Sequence, residues 1–166
     1  MKYISKSENE TKKIGKKIAA KLKGGEILAL HGDLGAGKTV FAKGIIEGLG
    51  YKKNVNSPTF VLMKVYKLKI RNLKLEIRGG KNKSNVKYIC HVDAYRIIDT
   101  SEIEDIGALE YFGKSDTFSI LEWPERIKKI LPKNTIWVEL GYGGKENERK
   151  IEIKKKRHSS KKNCGA

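Results

Sequence analysis

The octapeptide Gly32-Asp33-Leu34-Gly35-Ala36-Gly37-Lys38-Thr39 constrains this chain more than any other stretch. It satisfies G-x-x-x-x-G-K-[ST] in full, and each position has a physical reason. Glycines let the backbone curl so that successive N–H groups face one centre. A helix beginning directly after the loop offers its positive N-terminal end to an anion. Lys38 is placed to reach the β- and γ-phosphates, and the Thr39 hydroxyl to ligate Mg²⁺. The motif requires a strand before it and a helix after it. Both patterns are present: Glu26 to His31 reads as a short buried strand, and Thr39 to Leu49 as a helix ended by Gly50.

The remaining pattern alternates in the same way. Residues 9–23 carry Ile14, Ile18 and Leu22 on one helical face, with lysines opposite, and Gly24-Gly25 stops the helix. Strands are predicted over Thr59 to Tyr66, Tyr88 to Val92, Thr117 to Leu121, Thr135 to Leu140 and Lys150 to Ile153. Ser101 with Glu104 three residues on reads as a capping box, and Pro124 starts a short helix. This order predicts an α/β, three-layer P-loop NTPase-like fold with a mixed central sheet. A length of 166 residues fits one domain, expected over 1–153.

Charge patterning adds two appendages. The net charge is +17, concentrated at both ends and in residues 64–87, while residues 88–144 are net acidic. Segment 67–87 is expected to be a protruding basic hairpin at the sheet edge, or a mobile loop. The Lys-rich stretch 154–166 is expected to be a disordered tail. A basic balance favours polyanions such as RNA. Bases that are mostly lysine also fit a simply solvated surface, since arginine supplies the planar contacts of specific recognition. No apolar run is long enough for a membrane span, and Met1-Lys2-Tyr3 opens a polar stretch without a leader's apolar core. Two cysteines, Cys90 and Cys164, make no disulfide framework. A cytoplasmic protein is expected.

A phosphate loop needs acids at neighbouring strand ends, to hold the metal and to order water. Phe118-Ser119-Ile120-Leu121-Glu122 is an apolar run ending in a carboxylate, the layout of a Walker B element. Tyr88-Ile89-Cys90-His91-Val92-Asp93 ends the same way. Glu122 is therefore the candidate Mg²⁺ ligand beside Thr39, and Asp93 the second active-site acid. His91 fits a packed core histidine as well as a functional one, and Cys90 reads as core. No D-x-x-G occurs, and Asn82-Lys83-Ser84-Asn85 lacks the acid that would read guanine, so a GTPase is disfavoured.

Four ordered motifs, Gly32 to Thr39, Ser57-Pro58-Thr59-Phe60, His91-Val92-Asp93-Ala94-Tyr95-Arg96 and Leu121-Glu122-Trp123-Pro124-Glu125, give the chain a specific resemblance. Over residues 5–144 it resembles the TsaE (YjeE) family of small P-loop ATPases of tRNA threonylcarbamoyladenosine (t6A) synthesis. The resemblance implies ATP and Mg²⁺ as cofactors and the TsaD and TsaB proteins as partners, with tRNA met indirectly or through the basic segments. It also implies site roles. Leu34, Gly35, Ala36, Gly37, Lys38 and Thr39 would bind phosphates, and Thr39 and Glu122 would hold Mg²⁺. Lys38, Asp93 and Glu122 would carry the catalysis. Ser57 and Thr59 would form a switch-like loop, Trp123 would face a partner or the substrate or else pack in the core, and Glu8 and Thr11 would lie near the nucleotide. Val40 departs from the second threonine usual in the family, and segment 67–87 is longer than its usual turn. Two other readings stay open: a small-molecule kinase, and an RNA-binding module that retains a nucleotide fold.

Overall fold

The computed structural model describes residues 1–68 and 86–155. Most of the expected hairpin, and the tail from residue 156, lie outside the described residues. Seven strands form one mixed sheet: β1 (Lys2–Ser5), β2 (Ile27–His31), β3 (Met63–Lys67), β4 (Tyr88–Asp93), β5 (Thr117–Glu122), β6 (Ile136–Tyr142) and β7 (Arg149–Lys155). Their order is β1-β7-β6-β2-β5-β4-β3. The four central strands, β6-β2-β5-β4, run parallel, and the outer pairings are antiparallel. The carboxyl ends of β2, β5 and β4 therefore lie side by side, where ligands of open α/β sheets bind.

Strand alternation divides the core into two layers. One face of the sheet packs Leu28, Leu30, Ile89, Phe118 and Ile120 against α1 (Glu8–Ala19) and α2 (Lys38–Gly48), which contribute Ile18, Phe41 and Ile45. The other face packs Cys90, Val92 and Leu121 against Ile103 of α3 (Ser101–Asp105) and Ile127 of the 3-10 turn at Pro124–Ile130. The three-layer α/β architecture with a mixed sheet is as the sequence predicts. The same alternation sets His91, Asp93 and Glu122 in phase with Ile89, Phe118 and Ile120, so all three acidic or imidazole groups face the α2 side.

Several boundaries differ from the pattern reading. Helix α1 ends at Ala19, and Leu22 is buried beyond it. The strand expected from Thr59 starts only at Met63, because the backbone turns at Pro58 to Leu62, with Leu62 in the left-handed region at φ 58°. The capping box sits two residues earlier than Ser101 and Glu104. Asp99 Oδ1 accepts from Ser101 N, and the Glu102 carboxylate accepts from Asp99 N, so the same three-residue spacing is met by Asp99 and Glu102, while Thr100 at the N-cap makes no side-chain cap bond. Lys154 and Lys155 continue β7 rather than opening a tail. Strand β1, which the sequence analysis did not find, is a four-residue edge strand paired with β7.

Helices α1 and α2 cross closely through glycines. A Cβ on Gly44 would lie 2.3 Å from the Lys12 carbonyl oxygen, and one on Gly15 would lie 2.6 Å from the Phe41 carbonyl oxygen. Glu47 then ties the crossing electrostatically to Lys12 and Lys16 at 2.7 and 2.9 Å. A Gly44→Ala substitution must push the helices apart and is expected to cost about 1–3 kcal/mol, the range for overpacking. The shift of the urea midpoint against wild type measures it.

Candidate functional site: the phosphate loop and its carboxylates

The loop after β2 is built by chain reversal at glycines. Gly35 and Gly37 have φ of 77° and 94°, a region that other residues enter only at a cost. Gly37 is also the N-cap of α2. No side chain caps that end, and the first turn carries no acid. An uncapped helix N-terminus free of acids is suited to an anion.

Lys38 is buried and donates to the carbonyl oxygens of Gly32 and Asp33 at 2.6 and 2.8 Å. The Trp123 ring covers its ammonium at 3.7 Å from the ring centroid. Trp123 adopts a left-handed backbone, φ 58° and ψ 50°, which throws its ring over the loop directly after Glu122. Tyr95 packs on the same ring at 5.0 Å. Burial pushes the Lys38 pKa below its ordinary value, against the opposing pull of Glu122, Glu125, Asp93 and Asp33. The ammonium thus feels the negative charge of nearby carboxylates while losing hydration.

Glu122 joins three elements. Its Oε2 accepts from the Thr39 hydroxyl at 2.8 Å, and its Oε1 accepts from His91 Nε2 at 2.8 Å. All three side chains converge because β5 lies between β2 and β4. His91 is fully buried, and its Nδ1 has no partner among the described residues. Asp93, opposite Glu122 in the β4–β5 register, accepts from the Thr59 hydroxyl and from Tyr95 N. Ser57 and Thr59 share a hydroxyl hydrogen bond of 2.7 Å. The loop 57–62 is thereby fastened to the end of β4.

These groups border a cleft of about 510 Å³ lined by Leu34, Lys38, Thr39, Asp93, Glu122 and Trp123, among others. A second cleft of about 230 Å³ adjoins it, with Gly35, Gly37 and Val40 common to both. Glu8 and Thr11 line this second cleft, together with Arg149. Thr11 is buried and shares a hydroxyl hydrogen bond with Ser5 at 2.7 Å, so it also ties β1 to α1. Ala36 is buried against the loop base rather than facing either cleft. The structure thus brings Lys38, Thr39, Thr59, Asp93, Glu122 and Trp123 to one cleft and sets Glu8 and Thr11 in the next.

The residues fit a magnesium nucleotide. A hydroxyl and a carboxylate held together are hard oxygen donors, the type Mg²⁺ takes. Gly32 admits no side chain, because a Cβ there would meet the Leu140 carbonyl oxygen at 2.0 Å, so the start of the loop lies directly against β6. Three contributors were missed or left open by pattern reading. His91 is a partner of Glu122, and its place two residues before Asp93 on a strand was the available signal. Tyr142 and Arg149 touch the loop from β6 and β7, and no local sequence signal marks them.

Fold and site together define a P-loop α/β protein whose phosphate loop is backed by a carboxylate on the adjacent strand. The family model described as threonylcarbamoyl adenosine biosynthesis protein TsaE matches residues 5–151, and the chain belongs to the TsaE family. The tRNA threonylcarbamoyladenosine biosynthesis protein TsaE of Bacillus subtilis is 38% identical over 151 residues, covering 91% of this chain and 83% of that protein. Its namesake in Treponema pallidum is 32% identical over 141 residues, covering 84% of this chain and 90% of the relative. The crystal structure of Bacillus subtilis YdiB superposes with a TM-score of 0.66 at 30% identity, covering 92% of this chain and 83% of that one.

The Glu122 network makes its own prediction. His91→Leu removes a donor from a buried carboxylate and is expected to cost about 1.5–3 kcal/mol, the range for hydrogen bonds to charged groups. His91→Gln, whose amide nitrogen reaches the place of Nε2, should recover part of the loss. Chemical denaturation of the two variants beside wild type checks both.

Proposed function

We propose that this chain is the Mg²⁺-dependent, ATP-binding and ATP-hydrolysing component of tRNA t6A modification, acting with TsaD and TsaB. The observation that carries the reading is the 2.8 Å hydrogen bond between Thr39, at the start of α2, and Glu122, at the end of the neighbouring strand. Family membership and relatives named for t6A biosynthesis support the pathway.

The residues divide the work. The Leu34 to Thr39 backbone cradles the phosphates, and the helix end favours their charge. The Lys38 ammonium leaves the Gly32 and Asp33 carbonyls and counters charge developing on the outer phosphate. Thr39 and Glu122 would hold the metal, with His91 fixing the carboxylate from behind. Bound Mg²⁺ supplies charge neutralisation and Lewis-acid polarisation of phosphate oxygens. Asp93 would order the attacking water, and Thr59, already hydrogen-bonded to Asp93, would make the 57–62 loop responsive to the outer phosphate. Trp123 shields the ammonium from bulk water. Glu8 and Thr11 border the nucleoside end.

Among the described residues, no arginine lines the first cleft. Charge stabilisation is therefore incomplete in the chain alone, and hydrolysis is weak until TsaD and TsaB bind. ATP hydrolysis with Mg²⁺, measured alone and with purified TsaD–TsaB, tests this. Stimulation by the partners is expected, with a loss of about 10²-fold or more in Glu122→Ala and Lys38→Ala, the scale of removing one preorganised stabiliser. Full-speed turnover by the isolated chain, unchanged in Glu122→Ala, would contradict the assignment.

A further inference from the structure

The outer side of the phosphate loop is gripped by the β6–β7 strand pair, whose Arg149 also lines the second cleft. Tyr142 ends β6 and Arg149 begins β7, and the two are register partners. The Tyr142 hydroxyl donates to the Leu34 carbonyl oxygen at 2.5 Å. Arg149 Nε donates to the next carbonyl oxygen, that of Gly35, at 3.3 Å. The guanidinium lies over the Tyr142 ring at 4.7 Å, and its Nη1 is fixed on the carbonyl oxygens of Glu146 and Glu148 at 2.8 and 2.9 Å. The grip is close: a Cβ on Gly35 would stand 2.7 Å from the Tyr142 hydroxyl oxygen.

We propose that Tyr142 and Arg149 are positioning residues that preset the phosphate loop for polyphosphate. The argument is one of peptide geometry. In a trans peptide the C=O and the following N–H point in opposite directions. Drawing the Leu34 and Gly35 carbonyls outward therefore turns the N–H groups of Gly35 and Ala36 toward the inside of the loop. The Ala36 N–H is found there, on the Asp33 carbonyl oxygen that also accepts from Lys38. A loop with its carbonyls tied back cannot present them to an anion, and it loses less conformational freedom when the anion arrives. Without the two ties, two peptide planes next to the positive-φ glycines are free to turn.

This inference rests on the nucleotide reading but assigns residues outside its motifs. It predicts a loss that follows the phosphates and not the nucleoside. The test measures dissociation constants for ADP and for inorganic pyrophosphate in wild type, Tyr142→Phe and Arg149→Gln. Tyr142→Phe removes one oxygen from a half-exposed side chain and keeps the ring under Arg149, so the fold is preserved. Each variant is expected to weaken both probes by the same factor, about five- to tenfold, which is the worth of one hydrogen bond. The double variant should lose less than the product of the two factors, because both ties act on one loop. Binding of both probes within twofold of wild type in Tyr142→Phe and Arg149→Gln would overturn the proposal. So would a loss for ADP without a loss for pyrophosphate, which would mark a nucleoside contact. A wild-type chain that bound neither probe would overturn the nucleotide reading and the clamp with it, whereas unaltered variants of a binding wild type overturn the clamp alone.

Discussion

The Glu122 carboxylate holds the site together. It stands at the end of the central strand β5 and accepts one hydrogen bond from Thr39 on α2 and one from His91 on β4. A buried carboxylate is tolerated only when its oxygens are satisfied. That need ties the start of α2 and the end of β4 to the end of β5. The phosphate loop, which connects β2 to α2, inherits its position from the same bond. If the carboxylate were drawn elsewhere, the Thr39 hydroxyl, the helix N-terminus and the loop would lose their common reference.

Around that bond the site balances charge in a dry place. Lys38 pays desolvation under Trp123, and four surrounding acids hold its proton on against that penalty. In the described structure the ammonium is satisfied by two backbone carbonyls, so the loop is closed on itself. A ligand must offer more than those carbonyls do, and a polyphosphate does so through full negative charge. The second acid, Asp93, is spent on the 57–62 loop, so the occupant of the cleft and the conformation of that loop share one carboxylate. The exposed Phe60 and Val61 at the tip of this loop would move with it.

Much of this was legible in the sequence, for reasons that can be named. The phosphate loop reads from local spacing, because every position answers to one centre within eight residues. Glu122 and Asp93 read from strands that end in acids, because parallel strands bring their carboxyl ends to one edge. What remained hidden depends on long-range contact. Tyr142 and Arg149 reach the loop only because β7 folds back on β6, more than a hundred residues away from Leu34 in sequence. His91 shares its strand face with Asp93, yet only the packed sheet places its Nε2 against Glu122. Thr59 to Val61 read as strand because they are β-branched and aromatic. The bond from Thr59 to Asp93 and the left-handed Leu62 override that preference. Short β1 has too few residues to carry a pattern.

The account turns on one claim, that the loop, Lys38 and the Thr39–Glu122 pair form a single receptor for a magnesium nucleotide. Calorimetric titration of the full chain with ATP, with and without Mg²⁺, tests it most directly. The account predicts saturable one-to-one binding that tightens when Mg²⁺ is present, and a Glu122→Gln chain in which ATP still binds but the tightening is lost. ATP binding that ignores Mg²⁺ in the wild type, or no binding at all, would contradict it.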